Sequence, residues 1–111
     1  MSYSKGDVVL FPYPFSDLHT KKVRPAVIVS QTGDKYNDVF IVPLTSKVDN
    51  LGEGEFVLND WQNAGLNVPT AVKRGCALID ISLILKKAGS IKQEDVRKIR
   101  ISLQAWLGIN D

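Results

Sequence analysis

Arg24 is the residue of this sequence best suited to chemistry on a charged group. Lys21 and Lys22 come shortly before it, and Pro25 follows it directly. A proline restricts the preceding backbone to extended conformations, so the position of Arg24 is well defined. A guanidinium is permanently charged and offers a planar fork of donors, which suits phosphate binding and a charged phosphoryl transition state. The alternative is a surface ion pair with a carboxylate such as Asp17, the commoner role of an arginine.

Two hydroxyl residues, Thr45 and Ser46, follow Pro43 at the end of a predicted strand. Side chains at the rim of a sheet lie next to loops and can face a ligand, so these hydroxyls could bind phosphate oxygens. The alternative for each is ordinary turn chemistry, in which the hydroxyl bonds a nearby backbone amide. The pair becomes a candidate site only if it lies beside Arg24.

His19 is the only histidine and Cys76 the only cysteine. An imidazole with an ordinary pKa of about 6.5 is the natural candidate for general acid or base work, although most loop histidines are simply solvated. A Cys76–His19 nucleophilic dyad competes with a cysteine that acts as a small buried hydrophobe. The aspartates are scattered without ligand spacing, so the sequence predicts neither a metal site nor a cofactor.

Three aromatic residues, Phe11, Tyr13 and Phe15, alternate with prolines close to the lysines and Arg24. Aromatic faces beside cations suit the stacking of single-stranded nucleic-acid bases. Alternate residues of an extended chain also share one face, which could equally be the inner face of a core. The pattern leaves both interpretations open.

The elements that must position these residues are predicted to be short strands. A β-branched run begins after the Gly6–Asp7 turn, and Pro12 and Pro14 are expected to end it. Residues 26–30 and 39–44 form two further apolar runs around a turn-rich segment, which predicts an antiparallel hairpin. Three more short runs, EFVL, TAVK and CALID, are also predicted to be strands.

The chain is predicted to end in one amphipathic helix. Ser90 and Gln93 fit a capping box at its start, and Gly108 suits its end. Apolar residues recur at helical spacing between them: Val96, Ile99, Leu103, Trp106 and Leu107. Several closely spaced strands with one terminal helix predict a mainly β fold, a strongly bent sheet or partly open barrel with the helix over one face.

Composition limits the protein to a few classes. A chain of 111 residues with 44% hydrophobic and 23% charged content fits a single domain over residues 1–111. A net charge of +2 is mildly basic, so any nucleic-acid site must be local. The start has no apolar segment typical of a signal peptide, and no stretch is long and apolar enough to cross a membrane, which predicts a cytoplasmic protein without a membrane partner.

Several segments in this order resemble the MazF/PemK/Kid family of toxin endoribonucleases, and the resemblance covers nearly the whole chain. They are GDVVLFPYPFSD, KKVRPAVIVS, IVPLTS and VKRGCALID, followed by the helix. The most specific feature is the combination of a Gly-Asp strand start, an Arg-Pro pair and a Pro-x-Thr-Ser strand end. The resemblance implies an SH3-like barrel with a C-terminal helix, a homodimer, a cognate antitoxin, and sequence-specific, metal-independent cleavage of single-stranded RNA.

The resemblance also assigns roles to individual residues. It places the arginine and threonine of the family motifs on Arg24 and Thr45, and it adds His19 as a more variable catalytic residue. Other members have an acidic residue where this chain has Thr70, so the identity of the general base is open. Five residues are expected to bind RNA: Lys21, Lys22, Ser46, Lys47 and Lys73.

Two other functions stay open on the same fold. A protein of the related CcdB-like architecture inhibits DNA gyrase by binding and cuts nothing. A non-catalytic SH3-like module would bind RNA or peptide without turnover. A phosphate-binding pair formed by Arg24 and Thr45 favours the nuclease, because a gyrase inhibitor has no need of one.

Overall fold

The computed structural model describes residues 3–14, 21–30 and 35–109, with the side chains of residues 13, 14 and 21 left outside the description. Within these ranges the chain forms short strands, one 3₁₀ turn at Ile81–Leu83 and one helix. The elements are β1 Asp7–Pro14, β2 Lys21–Ile28, β3 Asp38–Thr45, β4 Ala71–Val72, β5 Ala77–Asp80, β6 Lys86–Ser90 and α1 Gln93–Leu107.

The strands form one curled antiparallel sheet in the order β4-β3-β2-β1-β6. The outer edge of β3 is shared, because β4 pairs with its end and β5 pairs with its beginning. The predicted hairpin is confirmed, since Ala26 pairs with Pro43 and Ile28 with Ile41. The mainly β fold class with a partly open barrel and a C-terminal helix is therefore confirmed as well.

Both faces of the sheet are buried around β2 and β3. Val27 and Val42 face α1, where they pack with Ile99 in one core cluster. Their neighbours in sequence point the other way, and Ile28 and Ile41 lie in a second cluster that also contains Tyr3 and Phe11. Burial on both faces explains why these strands are continuous apolar runs rather than alternating ones.

Strand β1 continues through both prolines that were expected to end it. Pro12 pairs with Val23 and Pro14 with Lys21, so β1 extends to Pro14. On its other side β1 pairs with β6 only from Asp7 to Leu10. The prolines lie beyond that point, where one side of β1 has no paired strand among the described residues, and an edge tolerates a residue without an N–H.

Strand β2 begins at Lys21, five residues earlier than predicted. The cations are therefore part of the strand rather than in front of it, and Arg24 lies opposite Phe11 of β1. Lys22 and Val23 are exposed, which removes the apolar signal by which a strand is usually recognised. Pairing with the extended β1 provides the hydrogen bonds that hold this polar part of β2.

One predicted strand is wrong, and one strand of the structure was not predicted. The predicted strand EFVL forms only an isolated bridge between Val57 and Ala71. Strand β6 was not predicted, because its sequence KKAGS has no apolar alternation. It is held instead by pairing with β1 and by Asp7, which accepts a hydrogen bond from Ser90 Oγ at 3.2 Å and forms an ion pair with Lys87 at 3.3 Å.

The helix begins at Gln93 without the predicted capping box. Ser90 belongs to β6, so it is not the N-cap. Lys92 takes that position and makes no side-chain capping bond. The fully buried Asp95 lies in the first turn, where it accepts the Asn59 N–H at 2.8 Å. Among the described residues, no helix has the length and apolarity needed to cross a membrane.

The end of the helix agrees with the prediction. Gly108 has φ of +70°, a left-handed conformation that lets it cap the last turn, and its N–H bonds the carbonyls of that turn. Val96, Ile99, Leu103 and Trp106 pack against the sheet as expected. Leu107 is the exception, since its side chain is exposed.

Candidate functional site

Arg24, in the middle of β2, and Thr45, at the end of β3, line the same cleft of about 370 Å³. The pairing of Ala26 with Pro43 brings Arg24 and Thr45 together. Arg24 lies two residues before Ala26 and Thr45 two residues after Pro43, so in an antiparallel pair they lie opposite each other. Other lining residues come from the end of β3 and from the segment that connects β4 to β5. They are Ile41, Pro43, Leu44, Ser46, Lys47, Lys73, Arg74, Gly75, Cys76 and Ala77.

Strand geometry fixes the position of Arg24. It is half-buried and lies on the same face as the buried Ala26 and Ile28. Phe11, paired with it on β1, is 3% exposed and packs in the core on that face. The guanidinium is therefore carried on a strand whose neighbouring residues are fixed by packing, which lowers the conformational entropy lost when a ligand binds.

Thr45 makes the turn bond that its sequence context suggested, and it also lines the cleft. Its Oγ1 accepts the N–H of Lys47 at 3.1 Å, a turn bond that fixes the hydroxyl at the end of β3. A hydroxyl also has one proton to donate, which this bond does not use. Ser46 and Lys47 are exposed beside it and line the cleft.

The cleft is strongly cationic. Lys47, Lys73 and Arg74 join Arg24 around it, and no acidic side chain occurs among the described residues that line it. Lys73 is tied to the sheet, because its N–H donates to the Pro43 carbonyl at 2.9 Å. A concave site lined by one sign of charge concentrates the field and attracts an anion.

Cys76 lies on the cleft wall, but its chemistry does not suit a nucleophile. Its side chain is exposed, so the expectation of a buried hydrophobe is wrong. Partial burial raises the pKa of the thiol, which keeps it protonated at neutral pH. His19, the other half of the dyad considered above, lies outside the described residues, as does Asp17.

The structure brings together part of the predicted set. Thr45, Ser46, Lys47 and Lys73 meet Arg24 in the cleft. Lys22 is exposed two positions before Arg24 on the same face of β2, although it is not among the described residues that line the cleft. For Lys21 the structure gives only the backbone, in β2.

The aromatic pattern has one clear outcome. Phe11 belongs to the core cluster on the face of Arg24, so the core interpretation is right for this residue. The side chain of Tyr13 and all of Phe15 lie outside the description. Base stacking by these two residues stays a prediction.

Sequence reasoning missed Arg74 and the carboxylate that holds it. Glu55 accepts the Arg74 N–H at 2.8 Å and the Gly52 N–H at 2.6 Å. These hydrogen bonds, that of Arg74 first, lower the pKa of Glu55. The available signal was Lys73-Arg74-Gly75, two cations and a glycine in the connection between two short predicted strands. Among the described residues no cluster of three potential metal ligands occurs.

The curled sheet, the C-terminal helix and the cleft define a small mainly β protein with a cation-lined cleft. The sequence model of the PemK-like, MazF-like toxins of type II toxin–antitoxin systems matches residues 4–107. The chain therefore belongs to this toxin family. A search of curated proteins gave no significant match.

Solved structures with the same fold agree over almost the whole chain. A mycobacterial endoribonuclease in complex with its cognate antitoxin has a TM-score of 0.78 at 15% identity, covering 99% of each chain. A MazE–MazF structure from Deinococcus radiodurans has a TM-score of 0.79 at 17% identity, again covering 99% of each. Toxin MazF-mt6 of Mycobacterium tuberculosis has a TM-score of 0.73 at 18% identity, covering 95% of this chain and 99% of its own. At such identities the likeness establishes the fold.

Proposed function

We propose that this protein is a sequence-specific, metal-independent endoribonuclease that cleaves single-stranded RNA, including mRNA, as the toxin of a type II toxin–antitoxin system. The observation that carries the proposal is the meeting of Arg24 and Thr45 in one cation-lined cleft. Family membership and the endoribonucleases among the structural neighbours support it. The proposed place of action is the cytoplasm.

The reaction is attack of a ribose 2′-hydroxyl on the adjacent phosphodiester. The 2′ oxygen forms a bond to phosphorus as the bond to the 5′ oxygen breaks, leaving a 2′,3′-cyclic phosphate and a 5′-hydroxyl. Negative charge develops on the phosphoryl oxygens, where the fixed guanidinium of Arg24 is most useful. Thr45 donates a hydrogen bond from its hydroxyl and holds a phosphate oxygen or the 2′-oxygen nucleophile in line.

Two proton transfers complete this reaction. The 2′-hydroxyl loses a proton and the departing 5′ oxygen gains one. His19 is proposed to assist one of these transfers rather than to be indispensable. The Cys76 thiol, which is protonated, and the Glu55 carboxylate, which two backbone amides engage, are both poorly suited to be the main general base.

The other cations bind the flanking RNA backbone. Lys47 and Lys73 line the cleft, and Lys22 is exposed on the strand that carries Arg24. Lysine contacts to phosphate position a strand without reading its sequence and make binding salt-dependent. Lys21 and Ser46 complete this proposed binding set.

The proposed protein partners are a second copy and an antitoxin. The chain is proposed to form a homodimer, which light scattering tests at micromolar concentration. The antitoxin is proposed to place an acidic, largely disordered segment over the cationic cleft, where carboxylates occupy the place of RNA phosphates. Such a segment should compete with RNA, and a small acidic protein encoded next to this one that leaves cleavage unchanged would contradict the idea.

The function is tested by incubating the purified protein with a mixed-sequence RNA in EDTA and mapping the product ends. The proposal expects cuts at a short recurring motif, with cyclic phosphate and 5′-hydroxyl ends. Cleavage that requires added divalent cations would contradict the metal-independent chemistry. Stable RNA binding without product would favour the non-catalytic module, and inhibition of DNA gyrase without RNA cleavage would favour the CcdB-like alternative.

A further inference from the structure

Glu55 uses both oxygens of its carboxylate to hold backbone amides from two parts of the chain. Oε1 accepts the N–H of Gly52 at 2.6 Å, and Oε2 accepts the N–H of Arg74 at 2.8 Å. The first bond closes the turn formed by residues 52–55, in which the Glu55 N–H also bonds the Gly52 carbonyl at 3.0 Å. The second bond reaches the segment between β4 and β5 that lines the cleft.

The turn that carries Glu55 is itself attached to α1. Trp106 Nε1 donates to the Glu53 carbonyl at 2.9 Å, and Ser102 Oγ donates to the Gly54 carbonyl at 2.7 Å. Gly54 has φ of +85°, and a Cβ there would lie 2.6 Å from Trp106 Nε1. The close packing and the left-handed backbone both require glycine, so the turn is held in one conformation against the helix.

The carboxylate is suited to holding this loop and poorly suited to taking up a proton. Charge-assisted bonds to backbone amides stabilise the ionised form, and the charges of Lys73 and Arg74 act in the same direction. The pKa of Glu55 is lowered as a result, so the group is ionised at neutral pH. Each oxygen already accepts one backbone N–H, and the lowered pKa makes Glu55 a weak proton acceptor, unlike a general base.

We propose that Glu55 is a positioning residue that fixes the segment 73–76, so that Lys73 and Arg74 face the cleft beside Arg24 and Thr45. Besides its bond to Glu55, this segment is attached to the sheet by the hydrogen bond from the Lys73 N–H to the Pro43 carbonyl. Glu55 thus connects the helix-anchored turn to the cationic wall of the cleft. This inference rests on the endoribonuclease function proposed above.

The first test observes the loop directly and needs no RNA. In an NMR pH titration, the amide protons of Gly52 and Arg74 should shift together as the Glu55 carboxylate titrates, with an apparent pKa below the ordinary 4.5. In Glu55→Gln this common titration should disappear, and the Arg74 amide should exchange with solvent faster than in the wild type. An Arg74 amide that is equally protected in both proteins would overturn the inference.

The second test measures single-turnover cleavage at saturating RNA. Glu55→Gln should lower the rate roughly 10-fold or more, since small misplacements of binding groups commonly cost up to about 10². The matched control is Glu53→Gln, because Glu53 accepts the Trp106 hydrogen bond with its backbone carbonyl, which the substitution keeps. This control should cleave at the wild-type rate, and thermal melting should show all variants folded.

A double-mutant comparison separates positioning from a general effect on the fold. In a Lys73→Ala/Arg74→Ala background the Glu55→Gln change should cost about 3-fold or less, because the side chains that it positions are gone. An equal loss in both backgrounds, or a wild-type rate for Glu55→Gln, would overturn the inference. Wild-type protein that cuts no RNA would contradict the proposed function, and the Arg74 amide alone would then decide the role of Glu55.

Discussion

Thr45 Oγ1 accepts the backbone N–H of Lys47 at 3.1 Å, so the hydroxyl of this candidate site residue also closes a turn. The bond sets the orientation of the hydroxyl and leaves its proton available to a ligand. Structural and chemical roles for this threonine therefore do not compete. In the proposed mechanism, the hydroxyl fixed by this turn bond donates a hydrogen bond to a phosphate oxygen in the cleft.

Two replacements of Thr45 should distinguish the contribution of its hydroxyl to cleavage from that of the rest of the side chain. Thr45→Val keeps the shape but removes the hydroxyl, and it should slow single-turnover cleavage roughly 10- to 100-fold, the usual cost of a hydrogen bond to a charged group. Thr45→Ser keeps both the acceptor for Lys47 and the donor, so it should stay close to the wild-type rate. Equal rates for wild type and Thr45→Val would remove Thr45 from the mechanism.

The lysines of the cleft should appear in the salt dependence of RNA binding. Affinity for a non-cleavable RNA with 2′-deoxy substitutions is measured against salt concentration for Lys47→Ala and Lys73→Ala. Each variant should reduce the slope of log affinity against log salt by about 0.7, the value for one contact to a single strand. Lys86→Ala is the control, because Lys86 lies on β6 outside the cleft lining and its slope should match the wild type.

His19 should support the reaction without being essential. Removal of a sole general base would cost about 10² to 10⁴ in rate, and the limb of the pH profile near the ordinary imidazole pKa of about 6.5 would vanish. We expect a smaller loss for His19→Ala and a pH profile of unchanged shape. A variant as inactive as Arg24→Ala would show that His19 is the base.

Cys76 should be dispensable although it lies on the cleft wall. Burial raises the pKa of its thiol, so the fraction of thiolate at pH 7 is below that of an ordinary cysteine and grows only as the pH rises. Cys76→Ser should cleave RNA at the wild-type rate across neutral pH. A large loss of cleavage rate with unchanged RNA affinity would show that Cys76 takes part in catalysis.

The sequence predicts the buried part of the fold better than its polar part. The hairpin of β2 and β3 and the packing face of α1 were predictable, because apolar runs and helical spacing record burial directly. Strand β6 and the first half of β2 carry charged or small residues, and their conformation depends on pairing with β1. Such pairing is a non-local property that residue types do not show.

The candidate site divides in a similar way. Arg24 and Thr45 could be selected from their chemistry and from their predicted positions near strand ends, although Arg24 lies in the middle of β2. The register of β2 and β3 brings them together. Arg74 and Glu55 could not be paired from sequence, since 19 residues separate them and their bond uses a backbone amide. A hydrogen bond of that kind places no requirement on the residue type of the donor.

The most direct test of the proposed mechanism compares Arg24→Ala with Arg97→Ala in single-turnover cleavage of one RNA in EDTA. Arg97 is an exposed arginine of α1 and controls for the loss of one positive charge. We predict that Arg24→Ala stays folded and slows cleavage about 10²- to 10³-fold, because fixed charge is removed from the transition state, and that Arg97→Ala matches the wild type. An Arg24→Ala protein that cleaves as fast as the wild type would contradict the mechanism.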